Sequence, residues 1–420
     1  MKIALFYYSN PLKEGGTGRF LVNLVRCFKD KEQELYFFNP YYDGINSIRI
    51  NEFKRLNPKN VFNSLKKRDF LMKTVQAFSG LFKDEYLSRT DKLKMLLLPL
   101  VKPRIFYNNL VTITQIYSKF KTLDIDVILA GSTSTELVTL VFYLSRMFKK
   151  KVAAFTYGND FLVNTRYSIK TYYLRNLDLI FLGTNTMKEI IQKIHPVKEE
   201  RLAVVYWGLI FDDYVISRTK EELRKELSIS DDTFVVLSVG RHVSRKKFDI
   251  VILAIAEILD RRLDINLKYY LIGEGEETPS LKKLVKELNI NDVVKFLGFT
   301  SNEIRNKFYK ASDVYIMPSS IEKKSIEGLG ITFIEANYYN CPVIGTSSGG
   351  IKEAVIENET GLLVKENDVN DLVDKIMYLY NNRDLSRELG IKGHKRALKY
   401  FNLKRLVNNY IGVLEKLNKK

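Results

Sequence analysis

Cysteine is nearly absent from this chain, with only Cys27 and Cys341 among 420 residues. The two are far apart in apolar segments, so a disulfide framework is excluded and a reducing compartment is expected. Long apolar runs are missing too: nothing approaches the roughly eighteen residues that span a bilayer. The opening MKIALFYYSNP has one lysine and a short apolar run that stops at a Ser-Asn-Pro turn. That is too short for a signal peptide and reads as a first buried strand. The expected location is the cytoplasm, including the cytoplasmic face of a membrane. Internal repeats and low-complexity tails are likewise absent.

Acidic residues are outnumbered. Lys and Arg total 67 against 49 Asp and Glu, a net charge of +18, which favours an anionic partner such as nucleic acid, acidic lipid or a phosphorylated substrate. Neither a stacked aromatic and basic sheet pattern nor a helix-turn-helix pattern is present, so nucleic acid is not the expected partner. From Lys54 to Lys121 there are fifteen Lys and Arg against four Asp and Glu, with Phe62, Leu65, Val75, Phe78 and Phe82 at helical spacing. Residues 54–104 therefore read either as a basic amphipathic stretch on an anionic membrane or as packed helices with a solvated basic face.

What remains is ordinary globular material, 45% hydrophobic and 28% charged, and long enough for two domains. Residues 2–8, DVILAG, KVAAFTY, LDLIFL and AVVYW read as buried strands separated by amphipathic helices, which argues for a parallel sheet covered on both faces. Gly15, Gly16 and Gly18 mark the first strand-to-helix turn, where a tight turn and a phosphate approach are equally good readings. Asp124 and Asp126 form a D-x-D with no third ligand in view, so no metal site is assigned. A polar stretch after YWGLIFDDY suggests a boundary near residue 215. The expected division is 1–215, 216–400 and a terminal helix over 401–420.

The most informative stretch is Val314 to Gly350: a strand, a Pro-Ser loop, the turn EGLG, the helix ITFIEANYYN, the strand PVIGT and a Gly-Gly turn. Glycines just before a helix let the backbone approach a ligand, and the free amides of the first turn suit a phosphate. Glu327 and Glu335 flank this turn. A phosphate would repel them, but sugar hydroxyls need such acceptors; two solvated glutamates beside a turn would read the same way. Upstream, the strand before Gly240 ends at Arg241, with Lys246 five residues later, two cations at a strand's carboxyl end.

The arrangement Glu327, seven residues, Glu335, within EGLGITFIEA and followed by PVIGTSSGG and TGLLV, resembles the nucleotide-sugar motif of glycosyltransferase family 4. The wording EGLGI is most similar to the phosphatidylinositol mannosyltransferase-like members. Motif-level resemblance runs from about Phe234 to about Leu385 and is thin over the first 230 residues or so. It implies an α/β GT-B fold, two facing Rossmann-like domains with an inter-domain cleft, the terminal helix crossing back to the first domain. The implied activity is a retaining hexosyl transfer, without a required cofactor or metal, from a GDP- or UDP-linked sugar to a lipid-linked or glycan acceptor. A sugar-nucleotide epimerase or hydrolase of the same fold, or a basic binding protein without catalysis, are the alternatives.

The resemblance assigns Arg241 and Lys246 to the donor phosphates, Glu327 to the donor hexose and Glu335 to the ribose hydroxyls. It places Gly330 and Ile331 on phosphate through their amides, with Gly328 and Leu329 in the same turn and Gly240 ending the strand before Arg241. Leu297, Gly298 and Phe299 border the nucleobase, and Gly15 and Gly16 reach toward the diphosphate. Tyr157, Gly158 and Asp160 are the acceptor-side candidates. The family usually has a histidine where Tyr157 stands, and none of His195, His242 and His394 falls at that strand end. Trp207 likewise replaces a usual asparagine, and Lys247 a common glycine.

Overall fold

The computed structural model describes residues 1–8, 15–31, 33–39, 47–49, 112–113, 116–117, 119–120, 122–162, 168–261, 265–322 and 325–419. The basic stretch 54–104 lies outside the described residues. The chain forms two compact units, Met1–Tyr206 with Leu403–Lys420, and Trp207–Asn402.

The first unit is built on a parallel seven-stranded sheet: β1 (Lys2–Phe6), β2 (Glu34–Asn39), β3 (Ser47–Arg49), β4 (Val127–Ala130), β5 (Lys151–Thr156), β6 (Leu179–Leu182) and β7 (Leu202–Val204). Their order is β3-β2-β1-β4-β5-β6-β7. β4 and β6 are buried at every position, as strands covered on both faces must be. Helix α1 (Gly15–Lys29) starts five residues before the apolar periodicity at Phe20, so Gly15, Gly16 and Gly18 lie in its first turns. Residues there make few intrahelical bonds from their own amides, which makes glycine cheaper than in a helix centre. α2 (Thr135–Phe148) buries Leu137, Leu140, Val141 and Leu144.

The second unit repeats the plan with β8 (Phe234–Val239), β9 (Leu267–Ile272), β10 (Val294–Gly298), β11 (Val314–Ile316), β12 (Val343–Thr346) and β13 (Gly361–Val364). The order is β10-β9-β8-β11-β12-β13, all parallel. β8, the run FVVLSV, is buried throughout. Its followers are α3 (Phe248–Arg261), α4 (Asn302–Ala311) and α5 (Ile331–Tyr338).

In both sheets the strand order reverses beside the first strand of the unit. That reversal leaves a crevice at the carboxyl ends, since the connections on either side leave toward opposite faces. In the second unit the crevice falls between β8 and β11, which brings the loop after β8 to the segment between β11 and α5. The terminal helix α6 (Leu403–Lys419) packs against α1 within the first unit. Its Tyr410 is fully buried, donates to the Val205 and Tyr206 carbonyls at 3.1 and 2.9 Å, and sets its ring against Phe155 and Phe181.

Candidate active site

At the β8–β11 crevice, Lys246 and Glu327 meet from 81 residues apart: Lys246 Nζ donates to Glu327 Oε2 at 2.6 Å. Arg245 Nη1 donates to the same oxygen. Glu327 Oε1 accepts no hydrogen bond among the described residues. The two loops are joined further by Ser320 N to the Arg245 carbonyl at 2.9 Å and by Lys246 Nζ to Met317 Sδ at 2.9 Å. Ser244 also donates to Glu322.

The side chains of Arg245, Lys246 and Glu327 retain 16, 9 and 13% of their exposure, so the cluster is almost dry yet reachable. Burial pulls the Lys246 ammonium down to about 8, helped by Arg245 and Arg241 and opposed by Glu327. Burial pushes the other way on Glu327, but the two cations win and hold its carboxyl at about 2. Arg241 itself is exposed at the start of this loop. The strand before it ends at Gly240, whose amide donates to the Ile272 carbonyl of β9 at 2.9 Å.

Lys247 closes the short turn Ser244–Lys246 with φ +54°, in the left-handed region. A glycine would enter that region without strain, which is the physical reason one is common there. Lys247 accepts the strain, and α3 starts at the next residue.

Glu327 is followed by Gly328, Leu329 and Gly330. Gly330 adopts φ +75° and directly precedes α5. A Cβ on it would come within 2.6 Å of the Phe333 ring, so glycine is required twice over. No side chain caps α5; Phe333 N donates to the Gly330 carbonyl at 3.0 Å, while the amides of Ile331 and Thr332 find no acceptor among the described residues. The Gly349-Gly350 turn supports Glu327 from behind, with Gly350 N on the Glu327 carbonyl at 2.9 Å. Tyr315 donates to Thr332 Oγ1 at 2.7 Å and so fixes the first turn of α5 to β11.

Glu335 points elsewhere. It is fully buried, its two oxygens accept from the Tyr214 and Tyr309 hydroxyls at 2.8 and 2.9 Å, and Arg305 stands 3.6 Å away. Here the carboxylate is committed to protein groups, whereas the family resemblance assigns it to ribose. Leu297, Gly298 and Phe299 lie at the end of β10, separated from β8 by β9. Phe299 is 80% exposed, and the Gly298 carbonyl accepts from Gly273 N at 2.8 Å.

The acceptor-side candidates belong to the first unit, at the end of β5. Asp160 accepts from Thr133 N at 2.8 Å, Thr156 Oγ1 at 2.7 Å and Tyr157 N at 2.9 Å. Its carboxylate thereby ties the loop after β4 to that after β5. Gly158, at φ +106°, leads into the short helix Asn159–Leu162. Burial pushes the Tyr157 phenol well above its ordinary value, so it stays protonated. Gly15 and Gly16 open α1 in the same unit. His195 is buried against Thr171 Oγ1 and the Phe161 carbonyl, and burial lowers its pKa.

Arg245 is the member that the sequence reading passed over. It stands in a run of three basic residues in a lysine-rich chain, and no spacing separates it from its neighbours. Met317 and Thr332, as supports, were equally silent.

With this geometry in view, comparison with known proteins is specific. The family described as Glycosyl transferases group 1 matches residues 219–396. N-acetyl-alpha-D-glucosaminyl L-malate synthase from Bacillus anthracis is 27% identical over 54% of this chain and 57% of its own length. The GDP-mannose-dependent alpha-(1-6)-phosphatidylinositol monomannoside mannosyltransferase of Mycobacterium tuberculosis is 32% identical over 42% of this chain and 46% of its own. The chain thus spans about half the length of the curated relatives it matches. Over the whole chain, the crystal structure of Anabaena HepE in complex with UDP and glucose superposes with a TM-score of 0.71 at 16% identity, covering 99% of this chain and 100% of that one. That likeness shows the fold, the two-domain α/β arrangement of GT-B proteins. The residues matched by the group 1 glycosyl transferase family contain the whole Lys246–Glu327 cluster and the turn into α5, and it is over this segment that the chain is similar to those enzymes.

Proposed function

We propose that this chain is a retaining hexosyltransferase. It moves a hexosyl group from a UDP- or GDP-linked sugar to a hydroxyl of a lipid-linked or glycan acceptor, and requires no metal ion. The observation that carries this reading is the convergence of Arg245 and Lys246 on one oxygen of Glu327, directly before the uncapped start of α5. A site with a surplus of buried positive charge and free amides suits a diphosphate.

When the bond from the anomeric carbon to the phosphate oxygen breaks, negative charge grows on the leaving diphosphate. Lys246 and Arg241, with the first-turn amides of α5, stabilise that state more than the ground state. These fixed charges supply what a divalent ion would otherwise supply. Glu327 Oε1 accepts a hydrogen bond from a hexose hydroxyl and orients the ring. The acceptor oxygen bonds to the anomeric carbon on the face that the phosphate leaves, and its proton passes to the departing phosphate oxygen. No side chain then has to act as general base, in keeping with the protonated Tyr157 phenol and the enclosed Asp160 carboxylate.

The donor class is supported by the UDP in HepE and by the GDP-mannose dependence of the mycobacterial relative, whose lipid acceptor also supports the acceptor class. A membrane-facing role for residues 54–104 belongs to the same reading. Its test is a thermal-shift panel of UDP, GDP, ADP and their sugar conjugates, since a ligand at a hundred times its Kd stabilises the fold by about 2.7 kcal/mol. A shift with UDP or GDP but not ADP is expected, followed by transfer that retains the anomeric configuration. No shift with any nucleotide at millimolar concentration overturns the reading.

A further inference from the structure

Glu327 carries more positive charge than a single carboxylate needs. Lys246 alone would neutralise it, yet Arg245 binds the same oxygen, and both cations are largely buried with it. The Arg245 backbone is pinned as well, its carbonyl accepting from Ser320 N at 2.9 Å, so the guanidinium is held between the loops after β8 and β11. Among the charged groups, Arg245 and Lys246 face the carboxylate directly and Arg241 acts on Lys246. From β11, Tyr315 presents a phenol that burial keeps protonated.

A diphosphate entering this site competes with Glu327 for the one Lys246 ammonium. Were Lys246 the sole partner, each donor would strand a nearly buried carboxylate, a costly state. Arg245 removes that cost. Its hydrogen bond to Oε2 is independent of Lys246, and among the described residues its side chain pairs with no other carboxylate.

We propose that Arg245 is a positioning residue for the transfer. It holds Glu327 ionised and oriented while Lys246 turns to the leaving phosphate, so that Oε1 keeps its aim at the donor hexose. This rests on the reading of the site as a donor site, and the experiment is arranged to separate the two.

Two measurements are made on wild type, Arg245→Gln and Arg245→Lys, each checked for an intact thermal transition. The first is turnover with UDP- and GDP-sugars as a function of pH. Arg245→Gln should lower kcat roughly tenfold or more, the scale of one lost charge-assisted hydrogen bond, with donor KM little changed. Arg245→Lys, which keeps the charge, should recover most of the loss. Removing the arginine also removes a positive charge that disfavours the Lys246 ammonium. The alkaline limb of kcat/KM, which reports the free enzyme and is expected at about 8 in the wild type, should therefore move up in Arg245→Gln and return in Arg245→Lys.

The second needs no donor: the pH dependence of Lys246 labelling by an amine-reactive reagent, read by mass spectrometry, should shift upward in Arg245→Gln in the same way. Unchanged kcat and an unmoved labelling curve in Arg245→Gln overturn the role of Arg245. A labelling shift with no turnover by the wild type on any nucleotide sugar keeps the coupling to Lys246 but overturns both the transferase reading and the positioning role.

Discussion

Lys246 is expected to work as a cation, and its surroundings make that testable by pH as well as by mutation. Its ammonium titrates at about 8, because burial outweighs the attraction of Glu327 only 2.6 Å away. The sign is that of a lysine depressed in the fold: protonated and active below about 8, neutral and unable to stabilise a leaving diphosphate above it. Activity should fall about tenfold for each pH unit beyond that point, as one titrating group requires. Lys246→Met should lower kcat by about a hundredfold to a thousandfold, the usual loss of one transition-state contact. Arg245 still pairs with Glu327 in that variant, so the fold should survive. Lys246→Arg keeps a charge that never titrates near neutrality, so its kcat should be less reduced and its alkaline limb should vanish. The assay is initial-rate transfer from a nucleotide sugar between pH 6 and 10, with circular dichroism as the folding control. Wild-type kcat in Lys246→Met, or an alkaline limb that persists unchanged in Lys246→Arg, would refute the reasoning.

Glu335→Ala should destabilise the second unit by about 3–5 kcal/mol in chemical denaturation, because it removes the carboxylate beside the buried Arg305 guanidinium and the acceptor of the Tyr214 and Tyr309 hydroxyls. A loss of donor affinity at unchanged stability would instead support the ribose assignment. Neutralising several Lys and Arg within residues 54–104 should weaken binding to vesicles containing acidic phospholipid by about 1 kcal/mol for each residue that meets the surface. Unaltered vesicle binding would return this stretch to ordinary packing.

Local pattern made much of this protein legible before any coordinates. The runs KIALF, VILA, LIFL and FVVLSV are too uniformly apolar to be half-exposed strands, and each is an interior strand of a parallel sheet. The turn EGLG announced both a helix start and a close backbone approach, since Gly330 must adopt a conformation that other residues resist. Lys246 and Glu327 could be assigned to one site from the sequence only through the resemblance to family 4, because two cations and a carboxylate in a lysine-rich chain do not by themselves mark one.

Contact and direction were not nameable. Whether Lys246 touches Glu327 depends on β8 and β11 being neighbours, and that order is set by how helices pack across a whole sheet, not by any local run. Arg245 was indistinguishable from its basic neighbours until the fold turned it onto Oε2. Glu335 carries the same charge as Glu327 and sits eight residues along the same motif. Only the tertiary structure decided that Tyr214, Tyr309 and Arg305 would enclose it, because Tyr214 lies 121 residues away and Tyr309 and Arg305 both stand on a separate helix, α4. Charge and spacing travel with the sequence; the direction in which a carboxylate points is a property of everything packed around it.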